Sequence, residues 1–226
     1  MKITYYGHSA LGIIINDIHI IVDPFISGNP KASEIDVKQL KADYILLTHA
    51  HSDHVLDVEE IAERTGATII ANHEIATYYN TRHNFETFGM NQGGCAKFDF
   101  GKVCAVEAIH SSSFADGTYG GNPLGFILKA HGKTIYISGD TDLFMNMKLI
   151  PMFHQPDLAI LCMGGTYTMD VDRAVMASEF VNCNQVMGVH FDTMPIIEIN
   201  HEEAKKKFKK EGKELFLLKV GESMTI

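Results

Sequence analysis

At 226 residues, 46% hydrophobic and 21% charged, the chain has the composition of a soluble globular protein and can bury roughly 70% of its unfolded surface. Its net charge of −9 argues against non-specific binding to nucleic acid or anionic membranes, which needs clustered Lys and Arg. No run approaches the ~18 to 20 apolar residues of a membrane span, and the start, Met1-Lys2-Ile3-Thr4-Tyr5, lacks a signal-peptide pattern, so one cytoplasmic domain over residues 1–226 is expected.

The spacing predicts strands at Lys2 to Tyr6, Leu11 to Ile15 and Ile18 to Val22, the last two joined by a tight Asn16-Asp17 turn. A loop with Gly28, Asn29 and Pro30 leads to a short helical stretch at Asp36 to Lys41. A strand at Tyr44 to Leu47 is followed by a helix over Val55 to Arg64, with Gly66 as its stop signal. A strand at Thr68 to Ala71 and a helix through Glu74 to Tyr79 come next. Cys95 to Phe100 and Val103 to Ile109 flank a hairpin turn at Gly101-Lys102, and Leu124 to Ala130 and Thr134 to Ser138 flank another at His131-Gly132-Lys133. Beyond them the pattern reads as a helix at Leu143 to Phe153, a strand at Leu158 to Leu161, a helix at Asp172 to Val181 and a strand at Val186 to Val189. A basic amphipathic helix at Glu202 to Lys210 and a strand at Leu215 to Lys219 close the series, and the Lys205 to Lys210 cluster reads as a solvated face. Periodicity alone gives an α/β or α+β chain.

Four cysteines, Cys95, Cys104, Cys162 and Cys183, form no CxxC pair, so scattered reduced thiols of an intracellular protein are expected rather than a disulfide framework. The histidines say more. Thr48-His49-Ala50-His51-Ser52-Asp53-His54 packs three imidazoles and a carboxylate together where a strand gives way to a loop. Imidazole and carboxylate suit borderline cations such as zinc. A polar loop capping a helix would account for Ser52 or Asp53 and leave three histidines idle. The same arrangement recurs: Val103 to Ile109 runs to His110, Thr134 to Ile137 to Gly139-Asp140, and Val186 to Val189 to His190. Strand ends at one edge of packed sheets bring distant residues together. His19, His73, His83, His131, His154 and His201 stand singly and receive no role.

His49-x-His51-x-Asp53-His54 resembles the signature of the metallo-β-lactamase superfamily. The likeness extends to Gly7-His8-Ser9, Val22-Asp23-Pro24, Ser138-Gly139-Asp140-Thr141-Asp142 and His190-Phe191-Asp192-Thr193. These pieces look most like small stand-alone metal-dependent hydrolases related to ascorbate-6-phosphate lactonase and N-acylphosphatidylethanolamine phospholipase D. The resemblance implies a four-layer αββα sandwich and two divalent metal ions, zinc first, with manganese, iron or nickel as alternatives. It assigns His49, His51 and His110 to one ion, Asp53, His54 and His190 to the other, and Asp140 to both. Two ions ~3.5 to 4 Å apart share a water and lower its pKa toward ~7, making the hydroxide nucleophile, with Asp53 a ligand that also accepts a proton. His8 and Asp23 are expected near the site, Asp23 orienting a ligand histidine, His8 contacting substrate, or the two bonding one strand end to another. Thr168, in Gly164 to Met169, and Thr193, in His190 to Pro195, are candidates for pocket walls. Gly93-Gly94 and Gly117 to Gly121 read as mobile loops, one of them a candidate lid.

The expected activity is hydrolysis of a small ester, lactone, amide or phosphodiester, preferably anionic, with no nucleic-acid partner; solitary domains of this size commonly form homo-oligomers. The alternatives are a di-iron redox enzyme on the same fold, against which His51 argues, and a non-catalytic metal-binding module, against which the complete ligand set argues.

Overall fold

The structure, a computed structural model, describes residues 1–226. The first half opens as an antiparallel meander of β1 (Lys2–Gly7), β2 (Ala10–Ile15) and β3 (Ile18–Val22). Asn16 and Asp17 turn between β2 and β3 with φ of 50° and 64°, the left-handed pair that a two-residue hairpin turn needs. The chain then switches to parallel pairing through β4 (Tyr44–Leu46), β5 (Thr68–Asn72) and β6 (Thr87–Met90). Single 3-10 turns at Pro30–Ala32 and Val37–Gln39 and the helices α1 (Ser52–Val55), α2 (Val58–Thr65) and α3 (His73–His83) fill the crossovers.

The second half repeats that plan. β7 (Cys95–Phe98), β8 (Gly101–Glu107), β9 (Leu124–Ala130) and β10 (Lys133–Ile137) pair antiparallel. β11 (Leu158–Cys162), β12 (Gln185–Val189) and β13 (Glu214–Phe216) then pair in parallel, with α4 (Ile150–Phe153) in the crossover from β10 and α5 (Val171–Phe180) and α6 (His201–Lys210) in the next two. The last strand, β14 (Ser223–Thr225), returns to the first sheet beside β1. The result is two mixed seven-stranded sheets, in the orders β14-β1-β2-β3-β4-β5-β6 and β13-β12-β11-β10-β9-β8-β7.

Three apolar clusters define the layers. One lies between the sheets, from Ile3, Ile13, Val22 and Leu46 on one side to Val103, Phe126, Leu158 and Met187 on the other. A second fills the outer face of the second sheet under α5 and α6, around Tyr136, Leu161, Ala177 and Phe208. The third lies outside the first sheet, around Ile45, Ile61, Ile69 and Tyr79. The expected αββα sandwich is therefore the observed fold. β11 is buried along its whole length, as a parallel strand covered on both faces must be.

Several boundaries differ from expectation for physical reasons. The helix expected over Val55 to Arg64 is broken between α1 and α2, because the buried Asp57 carboxylate turns away from the helix. It accepts hydrogen bonds from Ile26 N–H (2.6 Å), Ser27 N–H (3.0 Å) and the Ser27 hydroxyl, tying down the loop after β3. The helix expected at Leu143 to Phe153 is a 3-10 segment, Met145–Leu149, followed by the short α4, whose first turn contains Pro151. Phe98 pairs with Gly101, so that hairpin turns at Asp99-Phe100 rather than Gly101-Lys102. β6 and β14 were not expected; each is short and lacks strict alternation. No helix is long and apolar enough to cross a membrane.

The pairing directions decide which strand ends share an edge. β1 and β3 flank β2 antiparallel, and β4 runs parallel to β3, so β1, β3 and β4 point the same way. By the same count β8, β10 and β12 point the same way in the second sheet. His8, Asp23 and His49 follow the first three ends; His110, Asp140 and His190 follow the other three.

Candidate metal centre

At that edge the six strand ends converge. Asp140 is at the middle of the cluster, 2% exposed, with its Oδ2 3.0 Å from His190 Nε2, 3.2 Å from His54 Nε2, 3.8 Å from His110 Nε2 and 3.9 Å from His49 Nε2. His49, His51 and His110 bring one ring nitrogen each within 4.8 Å of one another; His8, Asp53, His54 and His190 form a second such group, and His49, His54 and Asp140 a third. All seven residues named by the resemblance thus lie together, with His8 beside Asp53, His54 and His190, and with Asp140 between the groups.

The backbone is bent to place them. Gly139 has φ +61°, and a Cβ there would lie 2.6 Å from the Leu124 carbonyl oxygen and 2.9 Å from Thr48 Cβ. His8, Asp23 and His190 also take positive φ, at 54°, 43° and 58°. Such conformations cost non-glycine residues on the order of 1 kcal/mol or more each and persist where the surroundings dictate them. Here His190 N–H donates to the His8 carbonyl at 2.7 Å, stitching the two sheets at the site.

Hydrogen bonds fix which nitrogen each ring offers. Asp23 accepts from Thr48 N–H (2.8 Å) and from the Thr48 hydroxyl (2.6 Å), and its Oδ2 lies 2.9 Å from His54 Nδ1. With its own proton committed to Asp23, Thr48 Oγ1 can only accept from His49 Nδ1, 3.0 Å away. Asp23 therefore orients His54 directly and His49 through Thr48, each through its Nδ1, so that Nε2 is the nitrogen turned toward the centre. Sequence reasoning offered a bond from Asp23 to a histidine of the motif as one of its alternatives and missed Thr48, whose only signal was its place before His49. His8 does not bond Asp23. It is buried, with Nδ1 2.9 Å from Thr193 Oγ1 and Nε2 3.1 Å from Asp53 Oδ2, so it positions Asp53 rather than reaching solvent. Thr168 is buried and donates to the Met169 carbonyl at 3.3 Å, and no contact joins its hydroxyl to the cluster.

Other segments hold the loop. Ser112 Oγ accepts from Ala50 N–H (3.2 Å) and donates to the Gly120 carbonyl (2.9 Å). Gly120 and Gly121 are buried, and a Cβ on Gly120 would meet Ala50 Cβ at 2.4 Å, so that end of the glycine-rich stretch is packed against the loop rather than free as a lid. Ile109 N–H donates to Thr141 Oγ1 at 2.9 Å, lashing the end of β8 to that of β10.

Burial holds His49 well below the ordinary histidine pKa, reinforced by His54, and burial lowers His51 and His110 as well. Burial alone would raise Asp140, but His190 and His54 hold it well below the carboxylate range; Asp53 is likewise held low, against burial, by the His8 hydrogen bond and His54. Burial opposes a charge on His54, yet the Asp140 and Asp23 carboxylates raise it well above the ordinary value. Ionised carboxylates facing mostly neutral imidazoles are the ligating forms of both groups. His54 Nε2 and Asp140 Oδ1 are buried without hydrogen-bond partners, at a cost of about 1–3 kcal/mol each unless something else satisfies them. A divalent cation fits this nitrogen and oxygen donor set.

The cysteines depart from expectation. Cys95 and Cys104 are joined by a disulfide, while Cys162 and Cys183 are free and buried. The spacing of nine residues hid the pair, because it is the hairpin register that sets Cys95 opposite Cys104.

A family model described as the beta-lactamase superfamily domain matches residues 19–191. A UPF0173 metal-dependent hydrolase of Flavobacterium johnsoniae is 59% identical over 226 residues, covering 100% of both chains. The solved structure of Igni18, a metallo hydrolase from the archaeon Ignicoccus hospitalis, is 35% identical, covers 99% of this chain and 97% of its own, and superposes with a TM-score of 0.89. CmlA, a diiron β-hydroxylase from Streptomyces venezuelae, superposes on 100% of this chain and 54% of its own with a TM-score of 0.77 at 12% identity, a likeness of fold alone.

Proposed function

The chain belongs to the UPF0173 metal-dependent hydrolase family of the metallo-β-lactamase superfamily, and from that premise we propose that it is a binuclear hydrolase of small ester, lactone or phosphodiester substrates. The observation that carries this reading is Asp140. One oxygen of a buried, ionised carboxylate lies within reach of four imidazole nitrogens drawn from both sheets, and its other oxygen has no partner. A carboxylate that only closed a salt bridge would not need four histidines.

In this reading His49, His51 and His110 hold one divalent ion, Asp53, His54 and His190 a second, and Asp140 both. Such ions, zinc first among the candidates, activate water for attack and polarise an acyl or phosphoryl oxygen. The chain's own contribution is orientation. Asp23 and Thr48 hold the His54 and His49 rings in the ligating tautomer. His8, braced by Thr193, ties down Asp53 Oδ2. Asp53 is the most accessible of the central carboxylates, with its side chain 34% exposed, and is the group placed to take a proton from the attacking water. Its low pKa makes it a transient acceptor that passes the proton to solvent. The net charge of −9 argues for a small molecule over a nucleic acid, and the cations at the site would still draw an anionic one.

The test is elemental analysis of protein purified without chelator or added metal, followed by a screen of lactones, thioesters, carboxylic esters and phosphodiesters. About two zinc or manganese ions per chain, with hydrolysis of one class and loss of both in Asp140→Asn, is the expected result. Two irons would move an oxidative reaction ahead. Metal well below one ion per chain, with no uptake on addition, would overturn the reading.

A further inference from the structure

On the outer face of the second sheet, sharing no residue with the centre above, Cys95, Cys104 and His154 bring one ligand atom each within 4.8 Å of one another. The two cysteines face each other across β7 and β8, and β7 is the edge strand. Cys95 is exposed; Cys104 is buried among the apolar side chains under the helices. His154 caps the C-terminus of α4, where its N–H donates to the Ile150 carbonyl at 2.7 Å, and its ring Nδ1 is buried with no hydrogen-bond partner. Burial, with Lys129 and Lys102 nearby, lowers its pKa, so the imidazole is in its neutral, ligating form. All three residues line one cavity of about 620 Å³, shared with Glu107, Phe144 and Phe153.

We propose that Cys95, Cys104 and His154 form a second metal site, closed while the cysteines are a disulfide and open to one thiophilic divalent cation of the zinc class once they are reduced. The reductant is a low-molecular-weight thiol. Two molecules of RSH break the Cys95–Cys104 bond, leave as RSSR, and give up their hydrogens to form two cysteine thiols. Binding of the cation then releases both thiol protons to solvent, so two thiolates and a neutral imidazole balance its charge. Exposure of Cys95 gives the thiol its point of attack. Tetrahedral coordination with Zn–S bonds of ~2.3 Å sets the sulfurs about 3.8 Å apart. The edge strand can supply that separation, since β7 has a neighbour on one side only. The fourth position opens to the cavity, where water can occupy it. Neither remaining cysteine has this setting: Cys162 donates to the Thr141 carbonyl and Cys183 to the Gln185 carbonyl, with no imidazole beside them.

Cobalt(II) tests this on the full-length protein, because thiolate ligands give a near-ultraviolet charge-transfer band that nitrogen and oxygen ligands do not. The protein is first loaded with zinc to fill the His/Asp centre, and then reduced and oxidised samples are titrated with cobalt. The reduced protein should develop the band with about one equivalent, and the oxidised protein should not. Cys95→Ser, a change at an exposed position, should abolish it with the circular dichroism spectrum unchanged. His154→Gln should keep both thiols yet weaken cobalt binding by about tenfold or more. No band in the reduced protein, a band that survives Cys95→Ser, an equal band in the oxidised protein, or unchanged affinity in His154→Gln would each overturn the proposal. None of these readings depends on hydrolysis.

Discussion

Asp23 braces both histidine groups from outside them. Replacing it by Asn keeps the shape but turns one acceptor into a donor, so it can no longer accept from Thr48 N–H on one side and from the Thr48 hydroxyl and His54 Nδ1 on the other. The tautomers of His49 and His54 are then unspecified. Asp23→Asn should lower metal affinity by about 10- to 100-fold while leaving the fold intact, as read by competition with a chelator. Unchanged affinity would mean that Thr48 and the packing suffice. The histidines also predict a pH dependence for the metal-stripped protein. Burial lowers His8 from 6.5 to about 4, and lowers His49, His51 and His110 in the same direction. As pH falls below 6.5 the unfolded chain takes up protons on these residues before the folded chain does, so stability falls through that window. His54 shifts upward, is protonated in both states below 6.5, and adds no slope there; the lowered carboxylates Asp53 and Asp140 contribute theirs only below about 4. For His8 alone the loss is on the order of 3 kcal/mol between pH 6.5 and 4. Urea unfolding of chelated protein at neutral pH and near pH 4.5 should show the drop, and His8→Gln should reduce it; a stability that rises on acidification would contradict the assignment.

β1, β3, β10 and β12 each deliver a His or an Asp through a left-handed turn made just after the strand, and the turn after β10 is the least tolerant. In Gly139→Ala the new methyl would press on the Leu124 carbonyl at a φ of +61°, and neither can yield without moving Asp140. The control is Gly66→Ala, at φ +70° after α2 with open space around it. It should cost only about 1 kcal/mol and leave metal content unchanged, whereas Gly139→Ala should lose most of its metal. Equal behaviour of the two variants would show that the turn does not set the carboxylate. This plan was legible in the sequence wherever an apolar run ended on a His or an Asp, because a strand's direction and its terminus are both local features. The Asn16-Asp17 turn was legible for the same reason, and so was the His131-Gly132-Lys133 turn except that Lys133 already opens β10. Asp57, Ser112 and the Cys95–Cys104 pair were not. An aspartate inside a helical pattern gives no sign that its carboxylate is captured by the loop at Ser27, and two cysteines nine residues apart meet only once the strand register is known.

At the scale of the molecule, the site is a seam. His8, Asp23, His49, His51, Asp53 and His54 come from the sheet built by the first half of the chain; His110, Asp140 and His190 come from the other sheet. The long-range pairing of β14 with β1, which brings Met1 N within 3.0 Å of the Ile226 carbonyl, could not be read from three residues of strand pattern, but the convergence of His and Asp residues from both halves could. A cation bound at such a seam joins the two sheets at one edge, and it binds the folded chain far better than the unfolded one. Occupancy must then appear as stability. At a free metal concentration of about 100 times the dissociation constant the gain is ~2.7 kcal/mol. For a chain of this length that corresponds to a rise in Tm of roughly 5–10 °C. Thermal melts of zinc-loaded and chelated protein should differ by that amount. The comparison belongs in Cys95→Ser, so that a thiol site cannot contribute, and the difference should collapse in Asp140→Asn, which removes the buried carboxylate within reach of four imidazoles from both sheets. An Asp140→Asn protein still stabilised to the full extent would place the bound metal elsewhere than the seam.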